Sequence, residues 1–587
     1  MALIPPEGRA ADPGPSGTTT PVLTGGQGLA RQLVAEGVRH IFGVPGVQLD
    51  WAFDALLDVQ PDIEVIVPRH EQATSYMADG YARASGQPGV CMVVPGPGVL
   101  NALSGLATAY ACSSPVVCIA GQIQSAALGR GLGLLHEVHD QSQILKSVTK
   151  WSALARSPAA VPELIHEAFR QARSGRPRPV AVEIPPDVLQ RQAAMRLYSR
   201  AAPESVTAPT DASLQEAATL LAAARAPAIW AGAGVRAAGA HTELARLAER
   251  IGAPVLMSDN GRGALSDHHP LALTALGGRA VLPHADVVLV VGSRFLNLRG
   301  QPVLDAPRAR FIYVNIEASD TDAPRQPGVA VVGDAKIALS RLADAVPSRD
   351  AKKSAAEACA LVRAWCDLQL APMQPKRAFL QALRRAIPSD GVLVTELTQV
   401  GYLAPLAYPV YNPRGWITPG YQGTLGYGYP TGLGAAIADR SRLVVSISGD
   451  GGFGWNLQEL ATAARYQIPL IVVIFNDAAF GNVRRIQREV FGREIGSRLH
   501  NPDFCALARA FGVHAERAQT PAELEHLIAT AATARRTPLL IEVPVDEMPS
   551  PWHLLHRLNH SQSEEPPNPL GIPGATAAAR TWGRHDA

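Results

Sequence analysis

Short apolar runs bounded by glycine or proline alternate with amphipathic stretches along most of the chain. One set of runs covers residues 65–67, 90–94, 115–120 and 180–184, and a second covers 228–230, 255–257, 287–291, 311–314 and 330–332. A third covers 392–394, 443–448, 470–475 and 539–543. Continuous apolarity over so few residues predicts strands buried on both faces, as in parallel sheets. Stretches 28–37, 214–224, 240–251 and 457–466 carry the helical period between them, completing βαβ units. The alternation lapses in a mixed polar linker at 187–209, and again in a charged stretch at 346–353 before a helical connector. The pattern predicts an α/β protein of three doubly wound parallel-sheet domains, over residues 21–190, 208–350 and 371–548. Residues 1–20, rich in Pro, Gly and Thr and without an apolar segment, read as a disordered leader rather than a signal peptide. Residues 549–587 read as a C-terminal tail, loose from 561 onward.

Composition narrows the class. A chain of 587 residues exceeds what one core supports, which agrees with three domains. With 53 basic and 51 acidic residues, the balance implies no nucleic-acid partner. No apolar run reaches the roughly 18–20 residues of a membrane helix, so no membrane association is expected. The six cysteines form no CxxC pair, which points to reduced thiols in a cytoplasmic protein rather than to disulfides or zinc.

The densest chemistry lies in the third domain. The run 443–448 leads into Gly449-Asp450-Gly451-Gly452, and the next run ends in Asn476-Asp477. Asp450 and Asp477 are 27 positions apart, room for one helix and one strand. Both carboxylates then sit at carboxyl ends of neighbouring parallel strands, where open α/β sheets bind ligands. Two such oxygens suit a hard cation such as Mg²⁺, with phosphate oxygens, a backbone carbonyl and water completing its shell. Gly451 and Gly452 let a backbone approach phosphates, and the helix that follows offers its first N–H groups. Gly-Asp-Gly alone also makes a tight turn; the second element at this spacing is what separates the two readings.

The pair resembles the motif of thiamine-diphosphate enzymes, in which GDG is followed in the high twenties by Asn-Asn. Here the second Asn is Asp477, which remains an oxygen ligand. The resemblance implies thiamine diphosphate and Mg²⁺ as cofactors, with Asp450, Asp477 and the carbonyl of Ala479 on the metal. It assigns Gly449, Gly451, Gly452 and Asn476 to the diphosphate. Arg69-His70-Glu71-Gln72-Ala73 resembles the segment whose glutamate contacts N1′ of the aminopyrimidine, which makes Glu71 the activating acid. Such proton exchange asks for a dry pocket around the carboxyl. The bland alternative is an acidic N-cap of a helix starting near Ala73. Gly423-Thr424-Leu425 resembles the stretch where a glycine carbonyl takes the 4′-amino group and Leu425 bends the cofactor. Gly46, Gly98 and Gln399 fall at further cofactor positions, with Val400 in place of the histidine usual beside Gln399. In this family the site forms between the first domain of one subunit and the third of another, which implies a homodimer or homotetramer acting on a small 2-oxo acid.

Within the family the order of motifs is most similar to the large subunit of acetolactate synthase. That resemblance implies pyruvate decarboxylation with ligation to a second 2-oxo acid, in branched-chain amino acid biosynthesis. Several specificity positions depart from it: His136-Glu137 stands for Phe-Gln, Ile486 for a tryptophan, and Val47-Gln48 for Gly-Ala. A histidine beside a carboxylate can protonate the product carbon and release aldehyde, so His136 and Glu137 are candidate catalytic residues. A non-ligating 2-oxo acid decarboxylase or acyl-CoA lyase of the same family therefore stays open. So does a catalytically silent cofactor-binding protein, although Glu71 and the two carboxylates count against it. FAD is likewise open: Arg176 and Gly292-Ser293-Arg294-Phe295 resemble its contacts, residues 274–279 lack the usual GMHG, and Arg294 also suits an ADP-like group. Gly232-Ala233-Gly234 is a weak nucleotide-turn signal, and an NAD-dependent enzyme resting on it leaves the Asp450/Asp477 spacing unexplained.

Overall fold

The computed structural model describes residues 21–202, 207–297, 300–304, 306–534, 538–555 and 566–571. The expected leader and most of the expected tail lie outside the described residues.

Three six-stranded parallel sheets follow one another. The first comprises β1 (His40–Gly43), β2 (Glu64–Ile66), β3 (Gly89–Val93), β4 (Val116–Gly121), β5 (Trp151–Leu154) and β6 (Val180–Ile184). The second comprises β7 (Pro227–Ala231), β8 (Val255–Met257), β9 (Ala272–Thr274), β10 (Val287–Val291), β11 (Arg310–Asn315) and β12 (Gly328–Val332). The third comprises β13 (Val392–Thr395), β14 (Trp416–Ile417), β15 (Val444–Gly449), β16 (Leu470–Asn476), β17 (His514–Arg517) and β18 (Leu539–Pro544). First and third share one strand order, β2-β1-β3-β4-β6-β5 and β14-β13-β15-β16-β18-β17, whereas the middle sheet runs β9-β8-β7-β10-β11-β12. The expected parallel α/β class is thus observed, and the outer domains are topological copies of each other.

Six helices matter for the site: α1 (Glu71–Ser85), α2 (Pro97–Cys112), α3 (Lys376–Ala386), α4 (Gly428–Ala438), α5 (Gly481–Phe491) and α6 (Trp552–Leu555). The first and third domains share a core through α1 and α4, with Tyr76 and Met77 buried in the same cluster as Leu433 and Ala436. The helices cross at glycines. A Cβ on Gly80 would lie 2.0 Å from the Thr431 carbonyl oxygen, and one on Gly434 1.9 Å from that of Met77. Only residues without a side chain allow that approach.

Some expectations are corrected. Strands β5, β9, β14 and β17 lie at sheet edges outside the expected runs; β5 is half-buried throughout and β17 carries His514, Glu516 and Arg517, so neither shows continuous apolarity. The 187–209 stretch is not only linker: Gln192–Ala194 pairs antiparallel with Val22–Thr24, tying the first domain's exit to its entry. Helix 457–466 is broken into a 3₁₀ turn at Leu457–Glu459 and a helix at Leu460–Tyr466. The tail is not loose where it is described. Trp365 Nε1 donates to the Pro566 carbonyl at 2.9 Å and Asn568 Nδ2 to that of Ala280 at 3.1 Å, fastening 566–571 to the middle domain and its connector helix.

Candidate active site

A cleft of about 240 Å³ lies at the carboxyl ends of β13, β15 and β16, where the third sheet changes winding direction. Gly449 pairs with Phe475, so Asp450 and Asn476 leave adjacent strands side by side. Asp450, Asp477 and Ala479 all line the cleft, as do Gly449, Gly451 and Gly452. Gln399 enters after β13, and Gly423 and Leu425 from the loop before α4.

The carboxyl pair is electrostatically unfavourable by itself. Burial pushes the Asp477 carboxyl up to about 6, and the neighbouring Asp450 charge adds to the effect. Burial also raises Asp450. Two buried acids in mutual contact titrate as a unit and are relieved by a cation between them. The surrounding amides hold the pair in place. Asn501 Nδ2 donates to Asp450 Oδ2 at 2.6 Å and to Asn476 Oδ1 at 3.0 Å. Asn476 Nδ2 donates to Glu542 at 2.8 Å, which fixes the direction of its amide. Gln399 Nε2 donates to Asp477 Oδ2 at 2.9 Å, so this side chain orients a carboxylate. Neither Asn501 nor Glu542 carried a sequence signal, because each acts through a partner far along the chain. Asn476 itself does not line the cleft.

The glycines have reasons inside the protein. A Cβ on Gly452 would meet Glu396 Oε1 at 2.0 Å and one on Gly451 the Phe480 ring at 2.7 Å, whereas one on Gly449 would touch only Thr398, at an ordinary 3.9 Å. The expected N-terminal helix turn after the motif is a single turn, Asp450–Phe453. Ala478 has φ +50°, a left-handed conformation rare for alanine, and sharply reverses the chain between Asp477 and Ala479. Phe480 N donates to the Ser497 carbonyl and Leu499 N to that of Ala478, both at 2.8 Å, which leaves the Ala479 carbonyl outside this pairing.

Glu396 is a further residue that the sequence did not mark. Fully buried, it accepts from Gly426 N at 2.7 Å, Gly428 N at 3.2 Å and the Ser448 hydroxyl at 2.8 Å. It joins the loop that carries Leu425 to the two strand ends beneath the cleft. Burial raises its carboxyl to about 7 despite those three donors. On the outer wall, Trp552 from α6 donates to Asn482 Oδ1 at 2.7 Å and packs on Tyr402, so part of the expected tail lines the cleft.

The remaining candidates form a second group on the first domain and do not line this cleft. Glu71 begins α1, but His70 caps that helix, its Nδ1 accepting from Gln72 N at 3.1 Å. The N-cap alternative for Glu71 is therefore excluded; Glu71 Oε2 instead accepts from Asn101 Nδ2 on α2 at 3.0 Å. Gly98 lies beside it, a Cβ there reaching Glu71 Cγ at 3.7 Å, and both Gly98 and Gly46 pack against Val94. His136, at φ +67°, sits 3.2 Å from Gln48 Oε1, with its backbone against Gly96. Glu137 serves its own loop, accepting from Leu134 N at 2.9 Å, which holds its carboxyl below the usual range.

Three family models match along the chain: the thiamine pyrophosphate enzyme N-terminal TPP-binding domain at 23–144, the central domain at 214–342 and the C-terminal TPP-binding domain at 398–543. The chain belongs to the thiamine pyrophosphate enzymes. Among its relatives is a probable 2-ketoarginine decarboxylase of Pseudomonas aeruginosa, 38 % identical over 86 % of this chain and 91 % of the relative. A probable acetolactate synthase large subunit of Methanocaldococcus jannaschii is 33 % identical over 89 % of this chain and 92 % of its own length. The acetolactate synthase isozyme 3 large subunit of Escherichia coli is 32 % identical over 89 % and 95 %. The expected family and its three-domain order are thus confirmed, with β1–β6 and β13–β18 forming the two sheets of the cofactor-binding domains.

In this thiamine pyrophosphate enzyme the residues suggestive of a nucleotide on the middle domain are engaged by other parts of the protein. Gly232 and Gly234 pack on the backbone of Gly292, where a Cβ would lie 2.3 and 2.6 Å from its atoms, so the turn owes its glycines to strand packing. Arg176 donates to Ser113 and Asp320, both at 2.8 Å, and Arg294 stacks over the Tyr421 ring at 4.5 Å. Asp503, Cys505 and Glu542 also bring ligand atoms within 4.8 Å of one another, but Arg517 already pairs with Glu542 at 2.7 Å and with Asp503 at 3.5 Å. All six cysteines are buried free thiols, and no described helix is long and apolar enough to cross a membrane.

Proposed function

We propose that the protein is a 2-oxo acid decarboxylase that binds thiamine diphosphate through Mg²⁺ in the third-domain cleft. The observation that carries this is the buried apposition of Asp450 and Asp477 at adjacent strand ends beside the Ala479 carbonyl, which has no hydrogen-bond donor among the described residues, a donor set of oxygens suited to a hard divalent cation. Bound there, thiamine diphosphate supplies the electron sink that lets CO₂ leave a 2-oxo acid. Asp450, Asp477 and the Ala479 carbonyl would hold the metal, the Gly449 to Gly452 turn would take the phosphates, and Gly423 and Leu425 would hold the organic part. Glu71 exchanges a proton at N1′ of the aminopyrimidine, with Asn101 fixing its carboxyl. FAD or an ADP-like group on the middle domain is not required for this chemistry.

Glu71 does not line the cleft of its own chain, so we infer a homodimer in which each cleft is closed by the first domain of the other copy. Exposed apolar side chains support this on both faces: Val47, Leu132 and Leu135 around His136, and Trp455, Val483 and Ile486 around the cleft.

His136, held by Gln48 in a strained loop conformation, then delivers a proton to the carbon that has lost CO₂, and an aldehyde leaves. The Pseudomonas aeruginosa relative, named as a decarboxylase, favours release over ligation and makes a guanidino 2-oxo acid the first substrate to try. A second reading, ligation of two pyruvates to acetolactate, is favoured by the acetolactate synthase relatives. Incubation with Mg²⁺, thiamine diphosphate and a panel of 2-oxo acids, including pyruvate and 2-oxo-5-guanidinopentanoate, separates them by product. Aldehyde with CO₂ supports the first and acetolactate the second; no CO₂ from any member sinks both.

A further inference from the structure

Among the charged side chains lining the cleft, Lys376 stands apart. It opens α3 and is only 2 % exposed, yet it lines the cleft. Phe379, one turn later on the same helix, packs against Phe475 at the end of β16 with ring centroids 5.3 Å apart. That contact sets α3 beside the strand end that delivers Asp477.

The other charges are already engaged. Arg485 pairs with Glu489 and donates to Asn482 at 3.1 Å. Arg484 lies 3.7 Å from both Asp477 and Glu547, and Arg488 also pairs with Glu547. Among the described residues, Lys376 has neither an ion pair nor a side-chain hydrogen bond. Burial, with Arg485 adding, lowers its ammonium to about 8, against the pull of Asp477 and Glu547. Sequestering a cation without a partner costs free energy that a bound anion returns.

The charge balance indicates which anion. Two carboxylates offset one divalent ion, so the negative charge of a diphosphate needs another cation, and Lys376 is the unengaged one on this wall. We propose that Lys376 binds the diphosphate of the cofactor through its ammonium. The assignment rests on the reading that thiamine diphosphate occupies this cleft.

Calorimetric titration of the metal-stripped full chain, resupplied with Mg²⁺, tests it with thiamine diphosphate and inorganic pyrophosphate as probes. Lys376→Met should weaken both by about ten- to a hundredfold, as for loss of one charged hydrogen bond, and Lys376→Arg should recover most of the affinity. Unchanged melting of both variants controls for folding. Binding of both probes by Lys376→Met as by the parent chain overturns the assignment. So does unchanged cofactor affinity with a raised KM for the 2-oxo acid, which moves the ammonium to the substrate carboxylate. A parent chain that binds neither probe overturns the cleft reading along with it.

Discussion

The side-chain amide of Asn501 donates across 2.6 Å to Asp450 Oδ2, joining a loop after α5 to the first residue beyond β15. The same amide reaches Asn476, so one residue aligns both strand ends that carry the proposed metal ligands. Asn501→Leu should keep the fold and lower Mg²⁺ affinity by about ten- to a hundredfold, the usual cost of removing a ligand's supporting partner. Titration of the apo-protein with Mg²⁺ at fixed thiamine diphosphate reads this; an unchanged midpoint would show that Asp450 needs no such support.

Glu71→Gln should retain cofactor binding and lose about 10²–10⁴ in turnover, the range for a positioned acid or base. The amide still accepts from Asn101 but cannot exchange a proton at N1′. Steady-state rates beside a cofactor-binding isotherm make the comparison, and undiminished turnover removes Glu71 from the mechanism.

Asp450→Ala should lose metal-dependent retention of thiamine diphosphate. After chelation, dialysis and resupply of Mg²⁺, the parent chain should carry the cofactor through gel filtration and the variant should not. Retention by the variant would sink the metal assignment.

Glu396 gives a pH dependence of defined sign. Its carboxyl stands at about 7 in the folded chain, above the ordinary glutamate value of the unfolded chain. The folded state therefore holds the extra proton between those two values, and stability falls as pH rises through that window. Its contribution is fully present below the unfolded value and gone above about 7. Glu396→Gln should flatten the fall in melting temperature between roughly pH 5 and 8. An equally steep profile in the variant would assign the fall to other groups.

Gly80→Ala should destabilise the joint between the first and third domains by about 1–3 kcal/mol, since its Cβ falls on a helix carbonyl that cannot move alone. A first melting transition lowered from that of the parent chain checks it, and an unchanged one shows that the joint accommodates the methyl group.

Most interior strands were legible because buried parallel strands are uniformly apolar, and the GDG and Asn476-Asp477 elements fall at the ends of β15 and β16 as their spacing required; β1, interior to the first sheet, escapes that pattern because its four residues open on half-buried His40 and close on Gly43. Edge strands such as β17 face solvent, where His514 and Arg517 break the apolar run. Local sequence also cannot state pairings formed over long separations. Asn501 with Asp450, Glu542 with Asn476 and Glu396 with Gly426 are ordinary residues until the sheet brings them together. Glu71 was marked by its motif, yet the motif suggested a start near Ala73, because histidine is an uncommon cap and His70 fills that role.

The cleft draws Met548, Ser550 and Trp552 from chain that follows the last strand. Those residues pair with no neighbour in a sheet, so replacing them leaves strand register intact. Substitutions in this short stretch would therefore reshape one wall of the cleft while leaving the strand ends that carry Asp450 and Asp477 untouched. For the experimenter, a library confined to these positions is the economical way to vary that wall.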